Sequence, residues 1–157
     1  MAYNVFISYS TKNLHIVEWA FTVLAKPGLT EIFAAEYSVI PSQVLNDEIK
    51  MALRKCDLFL LLYSHDADAS KYVQQEIGFA VSANKTILPV VMEAELPVPG
   101  FISELKYLSA YENWEGSFQW LAQFVHAEAA RQNDKEKLGA LLALFLGGMW
   151  LFGQGDD

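Results

Sequence analysis

The chain has 157 residues and a net charge of −8. That length suits one domain with a short appendage and can bury a core without staples. Its one cysteine, Cys56, excludes an internal disulfide and a cysteine-based metal cluster, and its place just before an apolar run suits a buried, inert thiol. The acidic balance argues against nucleic acid as a partner, because the nearest basic cluster is only Lys50, Arg54 and Lys55.

The first apolar run, YNVFIS (Tyr3–Ser8), is short, β-branched and aromatic, the pattern of a buried strand. No basic region precedes a long apolar stretch there, so no secretory leader is expected and the chain is placed in the cytoplasm. A turn, YSTKN, leads to a helix over Leu14–Ala25 that stops before Pro27-Gly28. Leu29–Glu36 reads as a second strand, Tyr37–Ser42 as a loop and Val44–Arg54 as a helix. Asp57–Ser64 is almost continuously apolar, which suits a central parallel strand covered on both faces. A polar loop, HDADAS, follows, and then the amphipathic helix SKYVQQEIGFA (Ser70–Ala80). Thr86–Met92 is a fourth strand, Leu105–Tyr111 a fifth, and Trp114–Gln132 a closing helix.

Alternating strands and helices call for a parallel sheet with helices on both faces, and ligands in such sheets gather at the carboxyl ends of the strands. Along the helix that opens at Ser70, Val73, Ile77, Ala80 and Val81 form one apolar stripe. A second row, Tyr72, Glu76, Phe79 and Ala83, sets a carboxylate between two aromatic rings. Glu76, one to two turns into the helix, looks toward the ligand edge; acids also favour the first turns of helices for the dipole alone.

Other chemistries lack their motifs. No Gly-rich phosphate loop is present, and no G-x-S-x-G elbow surrounds Ser8 and Ser10. His15, His65 and His126 are scattered, with no metal spacing between them. A phosphoacceptor domain would want acids after the first strand, where this chain has serines.

Four ordered motifs then carry a resemblance over about residues 3 to 130. VFISYSTKN resembles the opening box of TIR (Toll/interleukin receptor) domains. YSVIPSQVLNDEIKMALRKCDLFLLLYS resembles their BB loop through the third strand, SKYVQQEIGFA the helix bearing the family's glutamate, and TILPVV the strand after it. The resemblance implies an α/β, flavodoxin-like, three-layer fold with a five-stranded parallel sheet. It also implies the NAD+-cleaving prokaryotic branch, similar to Thoeris antiphage defence proteins, in which the nicotinamide–ribose bond is split to give ADP-ribose or a cyclic isomer. In that branch the helix carries W-x-x-x-E; here YVQQE puts Tyr72 in the tryptophan's place and Glu76 in that of the catalytic glutamate. IPSQ replaces the frequent proline-glycine pair of the BB loop, and Ser42 is less permissive than glycine.

The chemistry of such a substrate suggests further roles. Ser8, Ser10 and Lys12 would hold the phosphates, although a serine after a strand also serves to satisfy turn backbone and Lys12 also suits a solvated side chain. Phe6, which also suits packing within the strand, and Phe79 would line the pocket beside Tyr72, and Tyr37 would stack on a base or touch a neighbouring subunit. NAD+ is then substrate, and neither cofactor nor metal is implied. A neighbour's BB loop would complete the site, which makes a homo-oligomer the active form, with a downstream effector reading a nucleotide product. The alternatives are a non-enzymatic TIR scaffold working through BB loop and tail, and a nucleoside-processing enzyme, which the BB-loop stretch argues against.

Residues 1–132 are thus assigned to the TIR domain and 133–157 to a C-terminal apolar helical tail. Leu138 to Gly153 is uncharged, and residues 138–155 reach the lower end of what a bilayer span needs. Gly139, Ala143 and Gly147 recur at the four-residue spacing that lets membrane helices pack closely. Arg131, Lys135 and Lys137 before the run would keep the domain cytoplasmic. A membrane anchor and an oligomerisation helix both fit this tail.

Overall fold

Six consecutive apolar residues, LFLLLY, form β3 (Leu58–Tyr63), and every one of them is buried. Such a strand needs cover on both faces, and the computed structural model of the chain supplies it. The structure describes residues 1–35, 46–97, 99–134 and, for the backbone alone, 152–153. Five parallel strands lie in the order β2-β1-β3-β4-β5: β1 (Tyr3–Ser8), β2 (Thr30–Ala34), β3, β4 (Thr86–Val91) and β5 (Tyr107–Ser109).

The two-residue strand period sorts the core into two layers. Val5, Ile7, Leu60, Leu62 and Val90 face α1 (Leu14–Leu24) and α6 (Trp114–Asn133). Phe6, Phe59, Leu61 and Tyr63 face α2 (Asp47–Lys55) and α4 (Lys71–Ser82), together with the short α3 (His65–Asp68) and α5 (Gly100–Ser103). The α/β architecture with its parallel sheet is therefore the one expected.

Three details differ from the sequence reading. HDADAS is a loop only in part, because Ser64 caps α3 through its side chain, which accepts the Ala67 amide. The fifth strand contracts to Tyr107–Ser109, since Leu105 lies in a turn, its backbone N–H donating a hydrogen bond to the Ile102 carbonyl. Phe152–Gly153, inside the stretch expected to be helical, forms β6, antiparallel to β5. The rest of the 138–155 run lies outside the described residues. Among the described residues, no helix is long and apolar enough to cross a membrane.

The chain runs from β1 to β2 on one side of β1, then returns to place β3 on the other. This reversal opens a crevice at the carboxyl ends of β1 and β3. Ser8 ends the first of these strands, and Ser64 follows the second.

Candidate functional site

Three local devices shape that edge. The Tyr9 hydroxyl donates to the Ala35 carbonyl at 2.8 Å, fixing where β1 and β2 end. Ser10 caps a 3-10 turn over Thr11–Asn13, accepting the Lys12 amide. Ser70 caps α4, accepting the Val73 amide, and so launches that helix from the edge of the sheet. Serine suits all such caps because its oxygen satisfies an amide that the helix leaves unpaired.

α4 turns Val73, Glu76, Ile77 and Ala80 inward, and all four are buried. Glu76 is fully covered. Its Oε2 accepts a 2.5 Å hydrogen bond from the hydroxyl of Ser8, which is equally covered. Ser8 shares the strand face of Phe6, the face turned toward α4. The second oxygen, Oε1, has no hydrogen-bond partner among the described residues. Burial pushes the carboxyl from its ordinary 4.5 up to about 8, and the Ser8 hydrogen bond pulls the other way. A carboxyl so placed can hold or give up a proton near neutrality, and one of its buried oxygens has no donor among the described residues.

The remaining expected site residues divide. Tyr72 and Phe79 flank Glu76 along α4, half-buried against the same core layer, and the Arg54 guanidinium lies 5.9 Å from the centre of the Phe79 ring. Ser10 is committed to its cap. Lys12 is exposed and pairs with Asp66 of α3 at 3.0 Å. Phe6 is wholly within the core, its ring between those of Phe33 at 5.4 Å and Phe59 at 5.6 Å. Tyr37 and the IPSQ stretch lie outside the described residues.

Two grooves flank β2, of about 320 and 450 Å3, and both are lined in part by Ile32 and Phe33. Neither reaches Glu76. Residues that the sequence reading passed over also brace this edge. Ser64 donates to Asn13 at 2.8 Å, and the Tyr63 hydroxyl donates to Asp68 at 2.6 Å. The serine–acid pattern of a capped helix start in SHDAD was the available signal for α3. Nothing local marks the partners of Ser64 and Tyr63.

The family model of the TIR domain matches residues 5–124. The chain belongs to the TIR domain family. This TIR domain is 33% identical, over 109 aligned positions, to the NAD(+) hydrolase ApTIR of Actinoplanes sp.. That match covers 60% of the chain but spans only 15% of the relative's length. Among solved structures, the TIR domain of the Toll-related receptor TRR-2 from Hydra magnipapillata superposes with a TM-score of 0.62 at 16% identity, covering 79% of this chain and 98% of that one. The TIR domains of the activated Roq1 resistosome give 0.50 at 14% identity, covering 98% and 87%. At such identities the two structures establish the fold.

Proposed function

We infer that this TIR domain is an NAD+ glycohydrolase that cleaves the nicotinamide–ribose bond and releases ADP-ribose or a cyclic ADP-ribose isomer. The observation that carries this reading is the Glu76 carboxyl, buried at the carboxyl edge of the sheet with one oxygen unpartnered among the described residues. Similarity to a protein named NAD(+) hydrolase supports the reaction class.

Departure of nicotinamide leaves positive charge on the ribose, as in glycoside hydrolysis. A carboxylate held against the ring accepts hydrogen bonds from its hydroxyls and stabilises that charge. Before substrate arrives, burial keeps Glu76 largely protonated at pH 7. The cationic nicotinamide riboside favours the ionised form, so binding and activation of the carboxyl are coupled. Nicotinamide leaves as a neutral molecule, so the reaction asks for neither a strong general acid nor a cofactor. Tyr72 and Phe79 are the aromatic walls of this reading, with Ser10 and Lys12 nearest the phosphates.

Because Glu76 is fully covered, NAD+ reaches it only after the surrounding edge opens. Self-association through TIR–TIR contacts, aided by the apolar stretch that follows the domain, is the proposed opening step. A defence role in the manner of Thoeris proteins, with an effector reading the nucleotide product, completes the reading. The test is incubation of the purified protein with NAD+ across a range of protein concentrations, with nucleotide products separated by chromatography. Nicotinamide with ADP-ribose or a cyclic isomer, rising more steeply than protein concentration, supports the reading. No nicotinamide at any concentration, or when clustered on vesicles, moves the assignment to a scaffold.

A further inference from the structure

Proposed as a phosphate ligand by resemblance, Ser8 has a different geometry in the fold. A serine hydroxyl carries one proton, and that of Ser8 goes to Oε2 of Glu76. The side chain is fully covered, and its backbone is fixed in β1, in register with Leu61 of β3. It is therefore a rigid donor that meets the carboxyl and leaves no proton for a phosphate.

The glutamate itself is less constrained than its burial suggests. The last torsion of a glutamate side chain has a broad, roughly two-fold profile, so packing alone does not choose between its two oxygens. Ser8 makes that choice, because it occupies Oε2 while Oε1 stays without a partner among the described residues.

We propose that Ser8 is a positioning residue for the reaction: it clamps Oε2 of Glu76 and thereby fixes Oε1 as the single oxygen presented to a hydroxyl of the substrate's sugar. This rests on the reading of Glu76 as the carboxylate of an NAD+-cleaving site. One free acceptor oxygen on a clamped carboxyl suits one hydroxyl donor, so the substrate class is a ribosyl compound whose hydroxyl reaches that oxygen. Among the described residues two causes set the proton affinity of Glu76, burial and the Ser8 hydrogen bond, and no charged side chain from α4 or the described elements packed on it enters. Loss of the hydroxyl then raises that affinity further.

The experiment compares wild type, Ser8→Ala, Ser8→Thr and Glu76→Gln by the pH dependence of nicotinamide release, each first shown folded by circular dichroism. A hydrogen bond to a charged group is worth a factor of about 10 to 100. In Ser8→Ala, kcat falls by about that factor, KM stays within about twofold, and the acid limb of the profile moves up by about one pH unit or more. Ser8→Thr, which keeps the hydroxyl, moves the limb back; should Thr fail to fit, the Ser8→Ala profile decides alone. A Ser8→Ala profile that coincides with wild type overturns the positioning role and leaves the role of Glu76 standing. A Ser8→Ala variant that raises KM alone overturns it in favour of substrate contact. A wild type no more active than Glu76→Gln overturns the functional reading and this role with it.

Discussion

The hydroxyl of Ser64 donates to Oδ1 of Asn13 at 2.8 Å and accepts the Ala67 amide at 3.0 Å. One buried side chain thus joins the turn after β1 to the helix after β3, across the crevice where the strand order reverses. Replacing it with alanine removes a helix cap and strands the Asn13 carbonyl oxygen. Ser64→Ala is expected to lose about 1–2 kcal/mol of stability. Urea unfolding checks this: the midpoint falls while the slope holds. An unchanged midpoint would show that water replaces the bond at no cost.

Glu76 makes stability depend on pH in a definite direction. Its folded value, about 8, lies above the ordinary 4.5, so the native state holds a proton that the unfolded chain gives up between these values. The stabilisation is full below about pH 4.5 and is lost as the pH rises to about 8, by at most about 1.4 kcal/mol for each unit. Glu76→Gln stays neutral, keeps an oxygen to accept the Ser8 hydroxyl, and escapes the loss. Thermal melts at pH 5 and pH 8.5 should show the variant gaining on wild type at the higher pH. A constant difference between them would refute the shift.

Phe6 is a core residue in this fold rather than an accessible pocket wall. Its ring is stacked between Phe33 and Phe59 and is fully buried. Phe6→Ala is expected to cost about 3–5 kcal/mol by the cavity it leaves. Activity per folded molecule, normalised by circular dichroism, should change far less than stability does. The opposite pattern, intact stability with a raised KM, would put the ring against substrate.

Lys12 and Asp66 form an exposed ion pair, with side chains 74% and 42% accessible. Such pairs contribute about 0–1 kcal/mol, so Lys12→Ala should barely move the melting temperature. If the lysine meets a phosphate of NAD+, KM rises several-fold, kcat is kept, and the effect shrinks in high salt. A loss in kcat alone would argue for a role at the edge of the sheet instead.

The sheet and Glu76 were legible in the sequence for different reasons. β3 is so uniformly apolar that only a doubly covered central strand accommodates it, and the stripe Val73–Ile77–Ala80 sets the rotation of α4. Glu76 stood out as an acid beside that stripe, and the TIR motifs gave it a role. What the sequence left hidden is long-range. Ser8 and Glu76 are 68 residues apart, and only the closure of α4 over β1 brings them together. No periodicity reports that a serine at a strand end faces a carboxyl rather than a phosphate. α3 escaped because its four residues make too short a pattern beside so many turn formers. Phe6 fits both a core and a wall by sequence, since a strand pattern cannot tell a ring stacked on Phe59 from one that borders a cavity.

In the proposed reaction the Glu76 carboxylate drives cleavage of the nicotinamide–ribose bond. The direct measurement is the rate of nicotinamide release from NAD+ by wild type and Glu76→Gln, at equal folded concentration and equal state of assembly. A catalytic Glu76 entails a loss of at least about a hundredfold in the variant, with NAD+ binding retained. Equal rates in the two proteins would contradict it.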